Sequence, residues 1–591
     1  MLQNRDLWIY GLIILFGFTL YSNTINHGFV LDDPIITTEN KFVNEGFSGL
    51  KDIFSHGYLY GFNRLEGLTY RPLVLASLAI ETAIWGSNPS VHHFFNLFFF
   101  VLTGLLLFLF TSRLFPNESV WLPMGITLLF LAHPIHTEVV ANIKSRDEIL
   151  SFLFGITSLL FLFKYTDENK IKNLMLSLLF FFFSLISKET GLAFIGVIPL
   201  SLYFFRSISL KKIVKISSPF LGFIILYFLI RYLILDEYSS VEDMDKINNS
   251  LMALSGIELW ATKIMILGKY LVLLLFPHPL SYDYSFNQIP AVGMGDWKFI
   301  LALIAYISLF AYAIYGLIKK KPLAYGIIFF LSLLFLVSNL FVIIGATMAE
   351  RFVYASSFGF TFALGYALYK YLDRKIFYYV LGTILLLYSF KTISRNSDWE
   401  SPYTLYKSGL ITAPNSARAA NHFGTYHRQE AEKSTNTTSR SNNYQEAIKH
   451  YQKALVIYPQ YREAEYNQGV CYNAIGKKEL ARACYERVLE YDPNDLNTLN
   501  NMGVYYFEKK NYEKGIEFWK RVIAINNQDI LVLGNLAAAY FNLGEHEKSI
   551  EYQLRILQIE PYNKKALGLM IRSYKALGNH EKALEFQERL K

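Results

Sequence analysis

Up to about residue 395 the chain is written in blocks of Leu, Ile, Phe and Tyr, and beyond that point no such block occurs. Each is long enough to cross a bilayer, which takes about 20 apolar residues. In lipid every backbone polar group must be satisfied internally, so blocks of this length are helices. The expected fold is therefore all-α: a polytopic helical bundle over residues 1–395, a linker over 396–416, and a soluble helical domain over 417–591. Eleven spans are expected, at 7–25, 92–112, 121–138, 148–165, 173–187, 190–206, 213–235, 298–318, 324–346, 352–371 and 376–393. Met1 leads into the first block without a small-residue cleavage site, so that block reads as an uncleaved span. Residues 260–276 are apolar too, but Lys263 and Lys269 interrupt them. A helix lying in the outer interface, or re-entering from it, is expected there.

The net charge of +8 comes largely from short basic clusters between the blocks, which speaks of topology and not of nucleic acid. Lys164, Lys170 and Lys172 form one cluster, and Arg206, Lys211, Lys212 and Lys215 another. Lys319 to Lys321 and the group Lys370, Arg374 and Lys375 complete the set. Placing these inside puts the loop 24–91, the connection 133–147, the acidic loop 236–258 and Glu350-Arg351 outside, and the C-terminal domain with them. The cysteines, Cys471 and Cys484, form neither a metal pattern nor a disulfide framework.

The tail repeats itself every 34 residues. Tyr472, Tyr506, Tyr540 and Tyr574 fall in register; so do Gly476, Gly544 and Gly578, with Lys510 in the fourth slot. Ala481, Gly515, Ser549 and Ala583 form a column of small residues, and Pro493 and Pro561 stand where a second helix should end. This is the tetratricopeptide pattern, in which paired helices bury a shared core only by stacking. The tyrosines are expected to fill gaps between repeats. An earlier copy runs from Ala417 to Pro459, with a polar insert around 430–443 expected to be a mobile loop. The array reads as a surface that binds proteins or peptides, without chemistry of its own.

Chemistry is expected on the outer side of the membrane. Asp32 and Asp33 stand just past the first span, where two adjacent carboxylates repel each other and cost desolvation. The bland reading is an Asp-Asp-Pro turn closed by Pro34. Around them on the same side come Tyr70-Arg71-Pro72, His92-His93, the run from His133 to Glu138, the run from Lys144 to Glu148, Ser187-Lys188-Glu189, and Glu350-Arg351. Each has a structural alternative: His133 and His136 with Glu138 suit either a metal pair or a hydrogen-bonded helix end, and Arg351 suits a headgroup anchor. Together they suit a lipid phosphate, with arginine and lysine on the phosphate and a carboxylate as general base for an attacking hydroxyl.

In this order the motifs resemble the transmembrane-and-tetratricopeptide-repeat-containing (TMTC) family of type C glycosyltransferases, similar in fold to protein O-mannosyltransferases. The residues that carry the likeness are the acidic pair, Tyr70-Arg71-Pro72, His133 to Glu138, Arg146-Asp147, Ser187-Lys188-Glu189, Glu350-Arg351, and the Asp398-Trp399 lead into the repeats. The resemblance implies transfer of a sugar, mannose in that family, from a polyprenyl- or dolichyl-phosphate carrier to Ser or Thr of a protein, with inversion. It implies Asp32 as base, Asp33 as its support, and Arg71, Arg146, Lys188 and Arg351 as cations for the donor phosphate. His133, His136 and Glu138 are further site candidates. No metal and no cofactor is expected, since the lipid-linked sugar is a substrate. The partners expected are the donor, an acceptor protein on the repeats and membrane lipids, not nucleic acid. The short repeat array and the lack of a retention signal point to a bacterial inner membrane with a periplasmic array, the alternative being the endoplasmic reticulum with the array in the lumen. A membrane-anchored scaffold without catalysis, and a transferase for a lipid or glycan acceptor, are the competing readings.

Overall fold

The computed structural model describes residues 7–64, 67, 69–235 and 246–590. Among them the chain is helical without strands, and it divides into two compact units, Met1–Ala419 and Ala420–Lys591.

In the first unit every apolar block holds a helix: Leu7–Tyr21, Pro89–Leu114, Trp121–Ala132, Arg146–Glu168, Ile171–Ser187, Phe194–Phe205, Leu210–Ile234, Trp297–Ile318, Pro322–Phe335, Tyr354–Tyr371 and Arg374–Asn396. Six described stretches are long and apolar enough to cross a membrane, or seven if one bent pair counts as a span. The helices at other expected positions, among them Ile171–Ser187, Glu189–Phe205 and Pro322–Phe335, are apolar but shorter. The expected span 121–138 is the bent pair: its helix breaks at His133-Pro134 and turns by 50°. Pro134 lacks an N–H and forces His133 into an extended backbone, which ends the helix. The span expected at 324–346 stops at Phe335, and the chain then leaves the helix, with Asn339 in a left-handed conformation. Gly256–Leu275 is a helix whose lysines are engaged: Lys263 Nζ donates to the Leu340 carbonyl at 3.0 Å, and Lys269 stands 4.8 Å from the Tyr284 ring. Of the acidic loop expected at 236–258, residues 236–245 lie outside the described residues.

The stretch expected as a linker, 396–416, is folded into the first unit. A turn at Ser397–Trp399 and a helix at Pro402–Thr412 bury Trp399 and Leu405 against Val30, Ala141 and Tyr282. Polar ties complete the seam. Gly28 N donates to the Glu400 carbonyl at 3.0 Å, and Thr412 Oγ1 donates to Ser281 Oγ at 3.0 Å. Buried Asp283 accepts from Ser416 Oγ and, at 2.7 Å, from Arg418 Nε. Two large apolar side chains in a polar stretch need a core, and here they use that of the membrane unit.

The second unit is a stack of antiparallel helix pairs, such as Arg462–Ala474 with Lys478–Tyr491 and Leu496–Glu508 with Tyr512–Ile525. The small column is buried at Ala481, Gly515, Ser549 and Ala583, where paired helices approach closely. The tyrosines serve both within and between repeats: Tyr506 stacks on Phe518, Tyr540 on Tyr552 and Tyr574 on Phe586, with ring centroids 5.6–5.7 Å apart, while Tyr540 also shares a core with Trp519 and Val522 of the preceding repeat and Tyr472 OH accepts from Gln452 Nε2 at 3.2 Å. Each stacking partner lies on the second helix of the same pair. The polar insert is no long loop either, since a helix resumes at Thr437 and only Ser434 to Asn436 intervene.

The fourth slot of the glycine register shows what that register is for. Gly476, Gly544 and Gly578 have φ of 79°, 78° and 73°, and Lys510 is forced to φ 62° in the same place. A left-handed residue ends the first helix in these four repeats, a conformation that costs a non-glycine roughly 1–2 kcal/mol. Lys510→Gly is expected to stabilise the array by about 1 kcal/mol, because glycine returns part of that gain as lost chain entropy. Chemical denaturation of fragment 415–591, itself expected to be soluble, helical and cooperative, measures the shift.

Candidate active site

The acidic pair is presented by a strained turn. Past the first helix, Asn396 Nδ2 donates to the Leu20 carbonyl at 2.9 Å and to Asn23 Oδ1 at 2.8 Å, which fixes where the loop departs. The chain then runs to Leu31, held at φ 49°, a region that non-glycine residues enter only when their surroundings impose it. Asp33 imposes it. Its Oδ2 accepts from Val30 N at 3.0 Å, its own N–H donates to the Val30 carbonyl at 3.0 Å, and its Oδ1 accepts from Lys144 N at 2.8 Å. Burial pushes the Asp33 carboxyl up to about 7, against the two backbone N–H groups, with the Asp32 charge adding to the rise. Asp33 is a buckle between two loops. Asp32 is its opposite: its side chain is 58% exposed, with Oδ2 3.6 Å from Lys144 Nζ.

The break at His133-Pro134 turns the following residues towards the same region. His133 Nδ1 accepts from Ile135 N at 3.2 Å and its Nε2 donates to the Leu274 carbonyl at 2.9 Å; His136 Nε2 lies 2.8 Å from Ser357 Oγ. Both rings are buried. They mend the broken helix, so of their two expected roles the hydrogen-bonded helix end is the one the geometry carries. Glu138 faces Arg351, accepting from its Nη1 at 2.5 Å and from its backbone N at 3.0 Å. Next to it, buried Glu350 accepts from Ser281 N at 2.5 Å and Tyr284 OH at 2.8 Å, and burial holds its carboxyl at about 7.

The first turn of Arg146–Glu168 supplies the centre. Asp147 Oδ2 receives Arg71 Nη1 at 2.6 Å and Lys188 Nζ at 3.0 Å, while Glu148 Oε1 meets Lys188 Nζ at 2.8 Å. Arg71 continues to Glu189 through Nη2 at 2.8 Å and Nε at 3.0 Å. Arg71, Lys188 and Arg351 thus gather with Asp32 and Lys144 in one mixed cluster, and Arg351 lies within electrostatic range of both Asp32 and Glu148.

Arg146 does not join it. Its guanidinium is fully buried and donates to both Glu81 oxygens at 2.6 and 3.0 Å, to Asn96 Oδ1 at 2.6 Å, to Ser77 Oγ at 2.9 Å and to the His92 carbonyl at 2.8 Å. Glu81 also holds His92 Nδ1 at 2.7 Å. With its donors engaged out of solvent, Arg146 has nothing to offer a phosphate, and its expected place among the donor-binding cations is corrected to a structural one. Sequence reasoning passed over Glu81, although a lone acid in the apolar helix Pro72–Trp85 is itself a sign of a buried partner. It also left Lys144 out of the site. Lys144 and Arg351 keep 24% and 25% of their side chains accessible, against 13% for Arg71 and 9% for Lys188. An incoming anion meets the first two before the others.

Beside Lys188-Glu189 opens an apolar groove of about 600 Å3. Its lining includes Leu192, Ala193, Gly196, Ile224, Phe310 and Ile314. Charge for a headgroup and an apolar channel for a chain therefore lie within a few residues of each other on one helical segment.

A polytopic helical membrane unit with a charged cluster in its loops, followed by a tetratricopeptide-repeat array, defines the class. Tetratricopeptide-repeat models match residues 463–495, 484–517 and 531–563. The chain is similar to the protein O-mannosyl-transferases TMTC3 of Mus musculus (25% identity, 79% of this chain, 53% of that protein) and TMTC1 of Homo sapiens (25%, 76% and 55%). TMTC2 of Homo sapiens is 26% identical over 67% of this chain and 58% of its own. The chain spans about half the length of the curated relatives it matches. Among solved structures, that of MamA is 21% identical over 27% of this chain and 94% of its own, with a TM-score of 0.25.

Proposed function

We propose that this protein is a membrane glycosyltransferase that moves a sugar, mannose by analogy with the relatives, from a polyprenyl-phosphate carrier to Ser or Thr of proteins. The reaction takes place on the non-cytoplasmic face, periplasmic in a bacterium or lumenal in the endoplasmic reticulum, and the repeat array holds the acceptor. The observation that carries this reading is the cluster of Arg71, Lys144, Lys188 and Arg351 with exposed Asp32 at its edge, together with an apolar groove whose lining begins at Leu192, a few residues after Lys188 in the chain. The groove takes the first isoprene units, and Arg351 and Lys144 meet the phosphate. Asp32 accepts the proton of the attacking hydroxyl, and inversion follows from direct displacement at the anomeric carbon. Asp33 holds the base and Lys144 in register from below.

Gly196 tests the groove. A Cβ added there meets nothing within 4 Å, so a larger side chain points into open space without disturbing the helix. Gly196→Leu is expected to raise KM for a long-chain polyprenyl-phosphate sugar by about 10-fold or more, and to matter less for a donor with one or two isoprene units. An unchanged KM for the long-chain donor removes the groove from the reading.

A further inference from the structure

The repeat array carries one feature that repeat packing does not explain. The second helix of the first pair, Thr437–Ile457, has 21 residues where the three that follow have 14. The added turns and the short connection before them read Ser434-Thr435-Asn436-Thr437-Thr438-Ser439-Arg440-Ser441, a run of eight residues dominated by hydroxyls and free of apolar side chains. Thr435, Thr437, Thr438 and Ser439 are exposed, and Ser434 and Ser441 are half-buried. A connection between two helices needs neither this length nor this composition. Asn436 caps the helix by accepting from Ser439 N at 3.0 Å, and Ser434 Oγ donates to the Asn436 carbonyl at 3.2 Å. Past that cap the first turn is Thr437-Thr438-Ser439-Arg440, all exposed and, apart from the arginine, poor helix formers; the first tie to the preceding helix comes at Asn443, whose Oδ1 lies 3.1 Å from His427 Nδ1. Such a terminus frays at little cost and presents its hydroxyls on extended chain, where a transferase can reach them.

We propose that Ser434–Ser441 is itself an acceptor, so that this protein carries the sugar it transfers. The inference rests on the proposed function, including the location of the array on the side where Asp32 works. The donor is a polyprenyl-phosphate hexose. A Ser or Thr hydroxyl of the run gives its proton to the Asp32 carboxylate as its oxygen bonds to the anomeric carbon; the bond from that carbon to the phosphate oxygen breaks, and its electron pair leaves with the polyprenyl phosphate. A sugar on this run also shields the edge of the first repeat and changes what can approach it.

Full-length protein, purified without glycosylation, is incubated with a polyprenyl-phosphate hexose and a Ser/Thr-rich test peptide. Glycopeptides covering 429–445 are then mapped by electron-transfer fragmentation. The expected result is hexose on hydroxyls of 434–441 in the wild type and none in Asp32→Asn. A variant with all six hydroxyl residues replaced by Ala should lose its own modification and still glycosylate the peptide. A glycosylated peptide beside a bare 434–441 run overturns this inference and leaves the proposed function standing. Failure to modify either overturns both. Sugar that persists in Asp32→Asn, or that sits on Asn436 of the Asn-Thr-Thr sequence, assigns the run to another enzyme and also overturns the inference.

Discussion

Asp32→Asn is expected to lower sugar transfer by about 100- to 10,000-fold, the range that a positioned general base contributes. The amide keeps the shape and loses the proton-accepting charge, and because the side chain is largely exposed its replacement disturbs no packing. Thermal stability and helix content should match the wild type. The companion change, Asp33→Asn, acts differently. It leaves a base in place but sets an NH2 group against one of the two backbone N–H groups that the carboxylate now receives, from Val30 and Lys144. Activity should then fall together with stability. Transfer from a defined polyprenyl-phosphate sugar to a Ser/Thr peptide, beside an unfolding curve for each variant, separates the two. Near wild-type turnover in Asp32→Asn would leave the non-catalytic scaffold as the better account of the membrane unit.

Arg146→Ala should show the largest loss of stability of any change among the outer arginines. Removing the guanidinium strands Glu81 in a buried site and leaves Asn96, Ser77 and the His92 carbonyl without their donor. Breaking a buried pair on one side costs about 3–5 kcal/mol. The discriminating experiment is the double replacement Arg146→Met with Glu81→Leu, which removes both charges. Exchange of a buried pair for apolar groups is often neutral, so the double variant should recover much of the unfolding temperature that Arg146→Ala loses. A phosphate-binding arginine behaves otherwise: its loss raises the donor KM at unchanged stability, and the apolar double variant rescues nothing. That second pattern is the one expected for Arg351→Ala.

The contrast between Arg146 and Arg351 shows how far residue order reaches. Both stand in polar segments next to an acid, Asp147 in one case and Glu350 in the other, and local sequence offers nothing to tell them apart. Their real partners are Glu81 and Glu138, far away in the chain. The same holds for His133 and His136, whose spacing suits a ligand pair but whose nitrogens turn to Leu274 and Ser357. The linker expected at 396–416 failed for a related reason. Its polar composition hid Trp399 and Leu405, whose burial depends on Val30, Ala141 and Tyr282 from other parts of the fold.

The sequence by itself determined what repeats or runs along one element. Apolar blocks specify helices because lipid leaves the backbone no other way to satisfy its hydrogen bonds. The 34-residue register specifies the repeat array down to the left-handed slot that Lys510 shares with three glycines. The order of the charged motifs carried the resemblance to the TMTC family. Tertiary structure alone decided which of those charged groups are buried and which are exposed. It buried Asp33 and exposed Asp32, sealed Arg146 onto Glu81, and left Lys144 and Arg351 partly accessible beside Asp32 and Glu138. The reason is physical: helix periodicity and chain turns are local properties, read within a few residues, whereas the availability of a charge depends on desolvation and on partners that only the folded chain brings together.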